Sequence, residues 1–212
     1  MLTRTNPDVP KHKGLTMFIV PLKTEGVTVQ AVHTFQDERT NITFYDGVVI
    51  PDSWRLGEID GGTRTMSAAL ELEHGGGFSK VMKAMIEAAE EVTRELGIDG
   101  EVRTQCRLAR AVAHLWVSDM LTYRAQWSSI EKKPNHAFGP MAKMYSSEKF
   151  LSDSRDLLDL TAPLSLSKRE GAVALLNQCY RHAAGSTIFG GSSVVHRSMV
   201  AERGLGLPRT RG

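Results

Sequence analysis

One run of the chain limits its fold more than any other. From Val102 to Ile130 an amphipathic pattern continues without a proline or a glycine. Val102, Cys106, Ala109, Ala113, Trp116 and Met120 recur at alternating spacings of four and three, and Leu108, Val112 and Leu115 widen the stripe. Apolar residues at those spacings share one side of an α-helix. The expectation is a long helix, buried on a broad face within a bundle. His114 lies in this helix and reads as a core or boundary histidine rather than a ligand.

The neighbouring segments supply partners. From Arg64, a helical row carries Met66, Leu70, Glu73 and Gly77. Gly75-Gly76-Gly77 interrupts it, since each glycine costs a helix about 1 kcal/mol relative to alanine. Phe78 to Leu96 resumes with Val81, Met85, Ala88, Ala89 and Val92 on one face. Gly97 is a natural stop and Asp99 a natural N-cap for the next helix. Phe138 to Leu160 forms another helix, its methionines serving as core filler. Thr161-Ala162-Pro163 breaks it. Ser167-Lys168-Arg169-Glu170 has the spacing of a capping box for a helix through Tyr180, with Gly185 as its stop. A last helix is expected from about Ser192 to Arg203.

Before Arg64 the period is two. Strands are expected over Leu15–Leu22, Val27–Val32 and Asn41–Ile50, the last with a turn or bulge at Asp46-Gly47, and a short one within Trp54–Glu58. Three or four strands make a small sheet whose edges need partners. The pattern starts as though the chain began in mid-domain. The fold class is therefore α+β: a partial antiparallel sheet over 1–62, then an up-down, four-helix-bundle-like domain over 63–212.

Charge and composition remove other classes. A net charge of +2 makes no electrostatic case for nucleic acid. The seven histidines show no metal-ligand spacing. Cys106 and Cys179 also lack it, which points to reduced thiols and a cytoplasmic protein. No apolar run is long enough to span a membrane, and the N-terminus has no apolar signal region. There is no phosphate-binding G-x-G-x-x-G after a strand and no nucleophile elbow.

The stretch with most chemical content is Ile188-Phe189-Gly190-Gly191-Ser192-Ser193-Val194-Val195-His196-Arg197. Glycines let a backbone approach a ligand closely, and serine after glycine suits a helix N-cap. An ordinary inter-helix turn has the same composition.

Three segments carry a family resemblance. Thr43-Phe44-Tyr45-Asp46-Gly47-Val48-Val49-Ile50-Pro51 with Leu56-Gly57-Glu58 is similar to the second half of the middle β-domain of acyl-CoA dehydrogenases. Leu70-Glu71-Leu72-Glu73-His74 resembles the L-x-x-E-R segment that opens their C-terminal helical domain. Gly190 to Arg197 with Ala201-Glu202-Arg203-Gly204-Leu205-Gly206-Leu207-Pro208-Arg209 resembles the G-G-T-S-E-I-Q-R and A-E-R-x-L-G-L-P-R ending of many bacterial members.

The resemblance implies FAD-dependent α,β-dehydrogenation of an acyl-CoA, in which a carboxylate takes the α-proton and FAD takes the β-hydride. It also implies electron-transfer flavoprotein as acceptor, and a homo-oligomer or a heteromer with a related dehydrogenase subunit. Many members place the base where this chain has Gly190; others use the glutamate matched by Glu73. Glu71 and Glu73 lie about 200° apart on a helix, and Glu73 shares the apolar row. A solvated or ion-paired carboxylate is the other reading of Glu73. Gly190, Gly191, Ser192 and Ser193 are the implied cofactor contacts, and His74 and Gly191 the implied substrate contacts. His74 replaces the family arginine, Val194 a hydrogen-bonding residue, and Asp159-Leu160-Thr161-Ala162-Pro163 the adenosine-side Gln-x-x-Gly-Gly. Three readings follow: the C-terminal portion of a dehydrogenase, a subunit sharing one FAD site, or a helical interaction protein that kept only the fold.

Overall fold

The change of period near residue 64 is where strands give way to helices in the computed structural model, which describes residues 1–73, 77–133 and 135–209, without the side chains of 71–73. Backbone contacts divide the chain into two units, Met1–Thr34 with Glu38–Glu73, and Phe35–Asp37 with His74–Gly212. The α+β class expected from the sequence is the one observed.

The first unit holds two antiparallel sheets rather than one. β1 (Leu2–Arg4), β2 (Leu15–Phe18) and β5 (Arg55–Leu56) form one, in the order β1-β2-β5. β3 (Val27–His33) and β4 (Arg39–Tyr45) form a separate hairpin, paired from Val27 opposite Tyr45 to His33 opposite Arg39. Two expected strands end early. β2 stops at Phe18, before the Pro21 that cannot donate to a ladder, and β4 stops before Gly47, which turns the chain at φ +61°. α1 (Gly62–Glu73) follows. A Cβ on Gly62 would sit 2.7 Å from both Leu15 O and Leu2 Cδ1, so glycine lets this helix start directly against β1 and β2.

The second unit is the helical bundle: α2 (Ser79–Glu95), α3 (Val102–Ile130), α4 (Phe138–Leu160), α5 (Ala172–Ser186) and the short α6 (Ser193–Met199). α2 forms as its pattern demands. Met82, Met85, Ile86, Ala89 and Val92 are buried against Phe150 and Leu157 of α4 and Leu176, Cys179 and Ala183 of α5. Each fully buried side chain of Leu, Met or Phe size contributes about 1.5–3 kcal/mol. Gly97 ends α2 at φ +69°, as its position suggested.

α3 has the expected limits and the opposite orientation. Val102, Cys106, Ala109, Ala113, Trp116 and Met120 are all exposed. The buried residues are Thr104, Arg107, Ala111, Leu115, Ser118 and Ser128. The cause is a ladder of ion pairs to α4. Arg107 Nη2 donates to Asp156 Oδ1 and Asp159 Oδ2, both at 2.9 Å, and Arg110 Nη2 to Asp156 Oδ2 at 2.9 Å. His114 Nδ1 meets Asp153 Oδ1 at 2.9 Å, which bears out the boundary-histidine reading. Burial raises the Asp153 pKa while His114 draws it down.

Other expectations need correction. α3 is capped by Glu101, not Asp99, and no side chain caps its first turn. The capping box at Ser167 does not form. A 3-10 turn over Leu164–Leu166 follows Pro163 and takes the Ser167 hydroxyl, which donates to Leu164 O at 2.7 Å. α5 starts instead after Gly171 at φ +71°. Gly185 does not stop α5 but lies buried inside its last turn, where packing outweighs its weak helix propensity. Among the described residues, no helix is long and apolar enough to cross a membrane, and no cluster of ligand side chains could hold a metal ion.

Candidate functional site

The turn between α5 and α6 is shaped by two glycines in the left-handed region. Gly190 has φ +65° and Gly191 φ +96°, values that L-residues rarely adopt. Gly191 also has no room for a side chain, since a Cβ there would lie 2.7 Å from His196 Nε2. At Gly190 a Cβ would meet only Lys143 Cε at 3.7 Å, so there the backbone is the constraint and not the space. Ser192 caps α6 as expected, its Oγ accepting from Val195 N at 3.4 Å. Ser193 N donates to Thr187 O at 3.0 Å, which closes the turn.

Two buried side chains hold the turn from inside. Lys143 of α4 donates from Nζ to Ser186 O at 2.6 Å and to Gly191 O at 2.9 Å. Desolvation lowers its pKa. His196 is fully buried, and its Nε2 donates to Gly190 O at 3.1 Å. Phe189 is exposed, with its ring 5.7 Å from the His182 ring and 6.1 Å from Phe78. Both glycine carbonyls are thus engaged inward. The N–H groups of Gly190 and Gly191 donate to no backbone carbonyl among the described residues. The Ser193 hydroxyl is buried and has no hydrogen-bond partner there either. Ile188, Val194 and Val195 present exposed apolar side chains around these donors. Arg197 of α6 is paired with Glu148 at 2.6 Å.

The structure therefore gathers Gly190, Gly191, Ser192 and Ser193 into one element. Glu73 is the last residue of α1, but its side chain lies outside the described residues, and His74 lies outside them altogether. Lys143 and His196 were not singled out from the sequence. The signal for Lys143 is tertiary, because its two acceptors lie 43 and 48 residues away. For His196 a local signal existed: a histidine one turn into a helix whose N-cap follows a glycine pair.

Chemically, the turn offers two backbone donors and a hydroxyl within an apolar rim. That set suits an uncharged acceptor, such as a carbonyl or ring edge, that comes close to the backbone. It supplies no charge of its own to a phosphate.

Comparison with known proteins agrees with this architecture. A family model, that of the acyl-CoA dehydrogenase C-terminal domain, matches residues 63–205. Acyl-CoA dehydrogenase FadE34 of Mycobacterium tuberculosis is 28% identical over 211 residues, which is 98% of this chain and 29% of that protein. Acyl-CoA dehydrogenase FadE26 of the same organism is 28% identical, with 99% of this chain and 56% of that protein covered. Among solved structures, the Tcur3481-Tcur3483 steroid ACAD has a TM-score of 0.90 at 28% identity, covering 99% of this chain and 56% of the other. The chain thus spans between 29% and 56% of the length of these relatives.

Proposed function

The chain belongs to the acyl-CoA dehydrogenase family through its C-terminal domain, and from that premise we propose that it supplies the C-terminal side of a flavin-dependent acyl-CoA dehydrogenase site. Residues 1–62 then belong to the middle β-domain and 63–212 to the helical domain. The part of the fold that the relatives carry beyond the match, wherever it is encoded, completes the site.

The observation that carries this reading is the glycine turn held open by Lys143 and His196. Its donors fit the ring end of FAD: at Gly190 a Cβ would meet only Lys143 Cε at 3.7 Å, which leaves room for a flat group against the backbone, and the buried Ser193 hydroxyl has no hydrogen-bond partner among the described residues. They do not fit the pyrophosphate, because Lys143 is committed to carbonyls and Arg197 to Glu148. Gly190, Gly191 and Ser193 would hold the ring end, and Ser192 would keep α6 in place. When bound, FAD supplies the hydride acceptor. Glu73 would remove the α-proton of the acyl thioester as general base, with His74 and the Gly191 backbone toward the substrate. Burial of that carboxylate on substrate binding would raise its pKa toward the working range. Electrons would pass to an electron-transfer flavoprotein. The two free thiols, Cys106 and Cys179, suit a reducing cytoplasm.

The test is an absorption spectrum of the protein purified with its native partners. A flavin band near stoichiometry, bleached by acyl-CoA, is the expected result, and protein without flavin overturns the reading. Glu73→Gln should retain the band and slow bleaching by about 100-fold or more. Unchanged bleaching would remove Glu73 from the role of base.

A further inference from the structure

One glycine of α5 has no local reason to be there. Gly185 is buried in the last turn of the helix, and its φ is not in the left-handed region. Glycine at such a position costs a helix about 1 kcal/mol relative to alanine. Its reason is tertiary. A Cβ on Gly185 would fall on the carboxamide of Gln36, whose Nε2, Cδ and Oε1 are the three heavy atoms nearest to that point. The missing side chain leaves a seat, and Gln36 occupies it.

The residues on either side fix Gln36 there. Phe35-Gln36-Asp37 lies between β3 and β4 in sequence, but by its contacts it belongs to the same unit as the helical bundle. The Phe35 ring meets Tyr180 edge-on, with centroids 6.4 Å apart and planes at 82°. Asp37 is ion-paired with Arg181. Tyr180, Arg181 and Gly185 fall within about 140° of arc around α5, so three consecutive residues grip one side of the helix. Gln36 is the half-buried one, between exposed Phe35 and Asp37.

The seat adjoins the glycine turn. Gly185 O accepts from Ile188 N at 2.8 Å and from Phe189 N at 3.0 Å, which bends the chain out of the helix. Ser186 O, the next carbonyl, accepts from Lys143 Nζ at 2.6 Å. Gly190 follows directly after Phe189. A side chain wedged against Gly185 therefore sets where the turn begins. We propose that Gln36 is a positioning residue: seated on Gly185 and held by Phe35 and Asp37, it fixes the carbonyl from which the Gly190-Gly191 turn starts. Its bearing on catalysis rests on the flavin reading above; its bearing on the turn does not.

The test is a double-substitution cycle in the full-length protein purified with its native partners, read by hydrogen exchange and by flavin bleaching. Gly185→Ala adds helix propensity but puts a methyl in the seat and expels Gln36. Gln36→Ala empties the seat. Each should speed amide exchange at Ile188 and Phe189 about tenfold and leave exchange in α2 unchanged. Combining Gln36→Ala with Gly185→Ala gives the methyl an empty seat, and exchange should return to within about threefold of the wild type. Bleaching by saturating acyl-CoA should follow the same order: about tenfold slower in each single variant and recovered in the double. A role in stability alone would lower the unfolding midpoint of every variant without that recovery. Unchanged exchange at Ile188 and Phe189 in both single variants, or a double variant that exchanges faster than either single, would overturn the proposal even with flavin bound and bleached. Exchange that recovers while bleaching never changes would overturn the bearing on catalysis. Protein without flavin would overturn the flavin reading, and the exchange rates would still decide the role of Gln36.

Discussion

α2 and α3 are neighbours in the bundle with comparably clear apolar stripes, and they turn them in opposite directions. α2 puts Met82, Met85, Ala89 and Val92 inside. α3 puts its stripe outside and buries Arg107, Ser118 and Thr104. Hydrophobic pattern fixes which residues share a face but not where that face points. For α2 the polar face stays outward: Lys83 pairs with Glu87, both exposed, and Arg94 reaches the Glu90 carbonyl one turn back. For α3 the opposite face carries Arg107, Arg110 and His114, at spacings that match Asp153, Asp156 and Asp159 on the antiparallel α4. That match orients the helix and leaves its apolar stripe facing outward.

The largest expected effect compares one methionine from each helix. Met85 is fully buried, and Met120 is 70% exposed. Met85→Ala should cost about 2–5 kcal/mol, the usual cost of deleting a core methionine. Met120→Ala should stay within about 0.5 kcal/mol. Urea unfolding of both variants measures the pair. Equal losses would mean that α3 buries its stripe within the single chain.

The ladder itself gives the next test. Arg107→Met removes the cation between Asp156 and Asp159 and should cost about 1–3 kcal/mol, less than a fully buried pair because Asp159 is largely exposed. Asp153→Leu alone should also destabilise, since His114 loses its partner. His114→Leu combined with Asp153→Leu should recover most of that loss, because apolar residues replace a buried pair at little cost. A double variant as unstable as the sum of the singles would show that the two residues act separately and do not orient α3 as a pair.

The same contrast explains what could be read from residues alone. Helix limits were legible wherever breakers flank the pattern: α3 and α4 run as expected, since Gly97 and Gly100, Pro134 and Pro163 bound them. The direction of the α3 stripe was not legible, because it depends on a charge ladder formed across 39 to 52 residues of sequence. The splitting of the sheet was hidden for a similar reason, as strand pairing between β1, β2 and β5 joins residues far apart in the chain. In the site, the glycine pair and the Ser192 cap were readable from local chemistry. The Lys143 anchor was not, because a lysine on a helix reads as solvent-facing until a fold closes over it.

Lys143 gives the finest comparison, between a buried cation with carboxylates and one without. Arg107 has two carboxylate partners, whereas Lys143 Nζ donates to carbonyl oxygens. Burial lowers the Lys143 pKa from the ordinary value of 10.5. In the window between the folded value and 10.5, the unfolded chain binds the proton that the folded chain has released. Stability contributed by this group therefore rises with pH through that window and levels off above 10.5. Lys143→Met deletes both carbonyl contacts, which lowers stability at every pH, and it also deletes the slope. The expected signature is a wild-type minus variant difference in unfolding free energy that grows as pH rises from neutral to 10.5. Urea midpoints at a series of pH values supply it. A difference that stays flat, or shrinks, would mean that the lysine keeps its proton as readily in the folded chain as in water and that the turn is not closed over it.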